Sequence, residues 1–185
     1  SSGLNLTTHE IVLWGRYACR TTGPIRLGFG SMDMSEHLAT IEWKRTSDDF
    51  AYATYNREHT WKFQGGESVR ASAAPAYQGD PSCVDPEEAF VASLSSCHML
   101  TFLALCTKEK LVVDSYIDEA VGYMVKSDDG RMWITKVVLR PSITFGGDGA
   151  PAQQMLDALH HQAHELCFIA NSVKTEVLVE APTGG

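Results

Sequence analysis

The chain is poor in basic charge. Its 185 residues carry 15 Lys and Arg against 23 Asp and Glu, a formal charge of −8. An acidic surface repels phosphate backbones, and the cations are scattered without a basic run, which argues against nucleic-acid binding. No continuous apolar stretch reaches the ~20 residues of a membrane span, so no membrane partner is expected. No C-x-x-C pair, Gly-rich phosphate loop, G-x-S-x-G elbow or H-E-x-x-H motif occurs, which removes thioredoxin-type, zinc-ribbon, nucleotide, hydrolase and zincin signatures. The five cysteines, Cys19, Cys83, Cys97, Cys106 and Cys167, are odd in number and widely spaced, unlike a secreted disulfide framework. With 44% hydrophobic and 21% charged residues, the composition is that of a globular chain long enough for one domain.

Residues 1–33 differ from the rest. They begin Ser1-Ser2-Gly3 and are rich in Gly, Thr and Arg without periodicity, and their longest apolar run, Ile11 to Trp14, is too short for a signal-peptide core. They read as a leader or vector-derived segment, with a domain over 34–185. Within it, Ala39, Ile41 and Trp43 alternate with polar residues as in a half-buried strand. Two short strands flank Gly65-Gly66 as a hairpin. Asp85-Pro86-Glu87-Glu88 combines a helix cap, Pro at the first helical position and a capping box. The helix it opens is apolar nearly all round and carries no acid or base other than His98 and cysteine from Ala89 to Thr107. Such a helix is buried on most sides. Its small residues Ala89, Ala92, Ser93, Ser95 and Ser96 would admit a helix or a second subunit.

A further strand over Ile117 to Val125 turns at Asp128-Asp129-Gly130 into a return strand over Trp133 to Leu139. Pro151 opens an amphipathic helix, and Val177 and Val179 suggest a last strand. The order βββαββαβ lacks a βαβ rhythm and predicts an α+β fold with antiparallel pairing around a long buried helix.

Cys97 lies about three turns into that helix. A thiol there is inert without a nearby cation or donors, and a structural cysteine is the plainer reading. His98 points about 100° away from it and is a poor partner. Cys167 follows the second helix, seventy residues on, and nothing local predicts that the two meet. His160, His164 and Cys167 sit at i, i+4 and i+7, three potential metal ligands on one face; a solvated His-rich face is the competing reading. Arg57, alone before the hairpin, reads as a surface residue.

The segment from Asp85 to Cys97, with its Asp-Pro-Glu start and small-residue run, resembles the first cysteine motif of the OsmC/Ohr proteins (osmotically induced protein C and organic hydroperoxide resistance protein). His164 to Ser172 resembles the second. The resemblance covers roughly residues 36 to 181. Phe168-Ile169-Ala170 after Cys167, and His98 after Cys97, place it nearer the OsmC-like branch. It implies an intertwined homodimer in the cytoplasm that reduces organic hydroperoxides without a cofactor. Cys97 would attack the peroxide and become sulfenic acid, Cys167 would resolve it as a disulfide, and Glu87 would orient an arginine, Arg57. That guanidinium, permanently charged, would activate Cys97 and stabilise the leaving alkoxide. A dithiol, of the lipoyl type, would reduce the disulfide. The alternative is a non-catalytic protein that binds a metal through His160, His164 and Cys167, or an apolar ligand beside the helix.

Overall fold

The computed structural model describes residues 34–147 and 149–180. The segment 1–33, with Cys19, lies outside them. Eight strands and two helices follow in the order β1 (Ala39–Glu42), β2 (His59–Phe63), β3 (Ser68–Ala71), α1 (Pro86–Lys108), β4 (Val113–Asp118), β5 (Val121–Lys126), β6 (Met132–Leu139), β7 (Pro141–Phe145), α2 (Gln153–Leu166) and β8 (Glu176–Val179).

This is the expected α+β class, with antiparallel pairing in β1–β2–β3, β4–β7 and β5–β6. Two strands more are present than the pattern suggested. The run taken as one strand breaks at Glu119-Ala120 into β4 and β5, which join different sheets. Pro141 opens β7 at its first residue, a position where proline costs no ladder bond. β8 pairs with β6 in parallel, because the chain returns through β7 and α2 before it.

Helix α1 starts as its sequence dictates. Asp85 accepts from the Glu88 amide at 2.7 Å while the Glu88 carboxylate accepts from the Asp85 amide at 3.2 Å, and Glu87 and Glu88 sit at the positive end of the helix dipole. The helix ends in a Schellman turn: Leu111 N–H reaches the Cys106 carbonyl at 2.9 Å and Lys110 N–H the Thr107 carbonyl at 3.2 Å, with Lys110 left-handed at φ 60°.

Two apolar clusters meet on α1. Phe102, Leu105 and Cys106 pack with Leu159 and Ala163 of α2, and Leu94 packs with Val137 and Leu139 of β6. Gly122 on β5 lets α1 come close, since a Cβ there would lie 2.6 Å from a Val91 methyl. With 23 residues, α1 is long and apolar enough to cross a membrane, contrary to the expectation that no stretch qualifies; its buried stripe of Leu94, His98, Phe102, Leu105 and Cys106 instead makes it the central helix of the domain.

The helix is not covered all round, however. Ala92, Ser93, Ser96 and Leu100 are exposed. β1 is exposed on both faces rather than half-buried: Ile41 is 58% exposed, because nothing among the described residues covers this sheet. The β1–β3 sheet touches the rest of the fold at few points, among them a bridge from Ala71 to Val84 and the approach of the Tyr77 hydroxyl to the Met124 sulfur.

Candidate functional site

Helix α1 presents Cys97 half-buried, three turns from its start, on the side toward the end of α2. Cys167 caps α2 and is 1% exposed. The fold brings the two side chains near each other, close enough for Cys97 to raise the Cys167 thiol, and neither cysteine is in a disulfide. The chain leaves α2 in a 3-10 turn over Ala170–Ser172, which aims the Ala170 N–H at the Cys167 sulfur from 3.5 Å. Burial, and then the contact with Cys97, push the Cys167 thiol up to about 11, while backbone N–H groups oppose the rise. The pair is therefore asymmetric. Cys97 keeps part of its surface exposed, whereas Cys167 is buried. Burial likewise raises Cys106 to about 11, as expected of a structural cysteine.

Arg57 is buried at 9% exposure, so it is not the surface arginine its sequence setting suggested. Its guanidinium donates to the Tyr52 and Tyr55 carbonyls at 2.6 and 2.8 Å, and lies 5.1 and 4.1 Å from the centres of their rings. The same loop is pinned by Asn56, whose side chain bonds the Thr46 amide and the Lys44 carbonyl, and by His59, which bonds the Arg57 carbonyl through Nδ1 and accepts from Trp61. Among the described residues no ion pair joins Arg57 to Glu87. Glu87 lines a groove between α1 and the β4–β6 strands, ten residues or about 15 Å along the axis from Cys97. Within one chain, then, the two cysteines lie near each other, and no ion pair joins the two charges among the described residues.

That groove encloses about 640 Å³, with Val91, Met99, Val121 and Met124 among its apolar lining and Tyr116 and Asp118 on its inner side. Ser95 donates to Asp118 at 2.5 Å, which ties α1 to β4.

The three-ligand metal face does not converge. Among the described residues no group of three His, Cys, Asp or Glu side chains is placed to hold an ion. His160 turns inward instead. Its Nδ1 lies 3.1 Å from His98 Nε2, and its ring stacks on Phe102 with centroids 4.4 Å apart. Both imidazoles are pushed down to about 4. For His98 the causes are burial and then the neighbouring His160 and His164; for His160 burial dominates, and Asp157 and Asp118 oppose it. Sequence reasoning missed this pair. The available signal was that His98 and His160 each fall on the core stripe of an apolar helix face.

A sequence profile described as OsmC-like protein matches residues 79–181. The chain belongs to the OsmC-like family. An OsmC-like protein of unknown function from Vibrio cholerae is 51% identical over 80% of this chain and 99% of that one, with a TM-score of 0.75. The fold also recurs in more distant OsmC-like structures. An organic hydroperoxide resistance protein, OsmC, from Legionella pneumophila is 16% identical over 81% of this chain and 97% of its own, with a TM-score of 0.61. The organic hydroperoxide resistance protein OhrB of Bacillus subtilis is 16% identical over 80% and 98%, with a TM-score of 0.56. No curated protein matches.

Proposed function

We propose that this OsmC-like protein is a thiol peroxidase that reduces organic hydroperoxides in the cytoplasm. The observation that carries the reading is the proximity of half-buried Cys97 to buried Cys167, seventy residues apart in sequence. Cys97 attacks the distal peroxide oxygen; the O–O bond breaks, the alcohol leaves and Cys97 becomes sulfenic acid. Cys167 displaces the hydroxyl as water and closes the disulfide, which a small dithiol then reduces. The burial of Cys167 keeps it from competing for peroxide.

The active unit is a homodimer in which Arg57 of one subunit reaches Glu87 and Cys97 of the other. Three features support it. Arg57 is a buried cation with no carboxylate partner among the described residues, an arrangement that is costly unless another chain supplies one. Glu87 likewise makes no hydrogen bond or ion pair within the described residues, and the exposed apolar residues of β1 and α1 ask for a cover.

Reduced protein is titrated with cumene hydroperoxide and its cysteines are mapped by mass spectrometry. Peroxide consumption with one Cys97–Cys167 link per chain is the expected result. Unlinked cysteines with peroxide left intact would defeat the assignment.

A further inference from the structure

The seam between α1 and α2 holds a feature that the two-cysteine chemistry does not use. His98 and His160 are 1% and 5% exposed and sit edge to edge. Their planes are within 7° of each other, and the 5.4 Å between ring centres is what two five-membered rings joined through a 3.1 Å N···N bond require. The hydrogen bond therefore runs in the plane of both rings, along the lone pair of the acceptor.

The outer nitrogens of this pair, His98 Nδ1 and His160 Nε2, are both buried and, among the described residues, both without a partner. Tautomer counting then fixes their state. With both rings neutral, one nitrogen of the inner bond donates and the other accepts, so one outer nitrogen carries a hydrogen and the other a lone pair. A proton taken at the bare end and released at the other inverts both tautomers and restores the same bond. The two ends face different surroundings. His160 feels the carboxylates of Asp118 and Asp157, and Asp118 lines the groove together with Tyr116, whose buried hydroxyl is also unpartnered. His98 follows Cys97 on α1 and feels His164, which stands one turn before Cys167 and has an unpartnered buried Nδ1 of its own.

We propose that His98 and His160 form a proton relay through the α1–α2 seam, which carries away the proton that Cys167 must lose before its sulfur attacks Cys97. This rests on the two-cysteine reading above. In the step, the Cys167 sulfur gives its electron pair to the Cys97 sulfur; the S–O bond of the sulfenic acid breaks as the S–S bond forms. The thiol proton passes by way of His164, one turn before Cys167, to the His98 end of the pair, a proton leaves at His160 Nε2 toward the Asp118 groove, and the departing hydroxide takes one proton to become water. Burial keeps both imidazoles neutral, so a proton crosses the pair only as a concerted tautomer shift that leaves no imidazolium in the seam. The titratable groups around them are His164, Asp157, Asp118 and Tyr116.

His160→Gln tests the relay, because an amide keeps a hydrogen bond to His98 but cannot exchange a proton through itself. Diamide serves as the trigger beside cumene hydroperoxide, since Cys167 must shed the same proton to displace a diamide adduct on Cys97. Quenched-flow mass spectrometry separates modification of Cys97 from closure of the disulfide. The expected result at pH 7 is unchanged Cys97 modification, closure slowed at least tenfold with either oxidant, and partial recovery in His160→Ala on adding free imidazole. Closure at the wild-type rate in His160→Gln would overturn the relay. Wild-type protein that closes with diamide but never with peroxide would sink the peroxidase reading and leave the relay standing. Nitrogen-15 NMR of the wild-type imidazoles gives an independent check: tautomer-averaged signals are expected, and rings locked in one tautomer would overturn it.

Discussion

Lowering the pH from 7 to 5 should destabilise this fold sharply, and the buried imidazole pair sets how much. An unfolded histidine titrates near 6.5, whereas His98 and His160 are held at about 4 in the fold. The fold thus favours the neutral rings. Their contribution is intact above 6.5 and is lost as pH falls toward 4, because the unfolded chain gains protons that the folded chain refuses. At pH 5 the gap is about 1.5 pH units per ring, or roughly 2 kcal/mol each; allowing for the repulsion the two share, the pair loses on the order of 3 kcal/mol. That is a large part of a typical 5–15 kcal/mol stability. Urea unfolding at fixed protein concentration, followed by tryptophan fluorescence at pH 7, 6 and 5, reads it directly. The double variant His98→Gln/His160→Gln should start less stable at pH 7 and lose much less on acidification. An equal pH slope in wild type and double variant would refute the assignment.

Other outcomes can be checked alongside. Arg57→Ala should slow dimedone trapping of Cys97 after peroxide at least tenfold and also lower Tm, since it removes the donor to the Tyr52 and Tyr55 carbonyls, whereas an unaltered trapping rate would remove Arg57 from the site. Gly122→Ala should cost about 1–3 kcal/mol, because its methyl would collide with Val91 and α1 cannot retreat from β5 cheaply; denaturant midpoints decide it. Lys110→Gly should stabilise by roughly 0.5–1 kcal/mol, relieving a left-handed residue at the helix end. Asp85→Ala should cost about 1 kcal/mol through loss of the α1 cap.

What could be read from the residues alone was what neighbours decide. The cap at Asp85 to Glu88 and the Gly65-Gly66 and Asp129-Gly130 turns depend on a handful of adjacent residues, and each stands where its chemistry places it. Glu119-Ala120 carries no Gly or Pro to mark the break between β4 and β5; it is made by the two segments pairing with different strands, far away in the chain. The parallel β6–β8 pairing is equally non-local. At the site, spacing could not bring Cys97 to Cys167; the family resemblance suggested the pair, and only tertiary folding can set two thiols seventy residues apart near each other. The histidines show the opposite failure. Helical periodicity put His160 and His164 on one face correctly, but their meaning changed when the opposing helix proved to offer His98 rather than solvent.

Cys167 is both the last residue of the second helix's hydrogen-bonding pattern and the buried sulfur of the pair. A covalent bond from there to the middle of α1 would span seventy residues of chain, a tether worth about 4 kcal/mol against unfolding by loop-entropy arithmetic. The oxidised protein would therefore outlast the reduced one on heating, so that a melting curve would report the redox history of the sample, and any dithiol that reopened the bond would also loosen the fold.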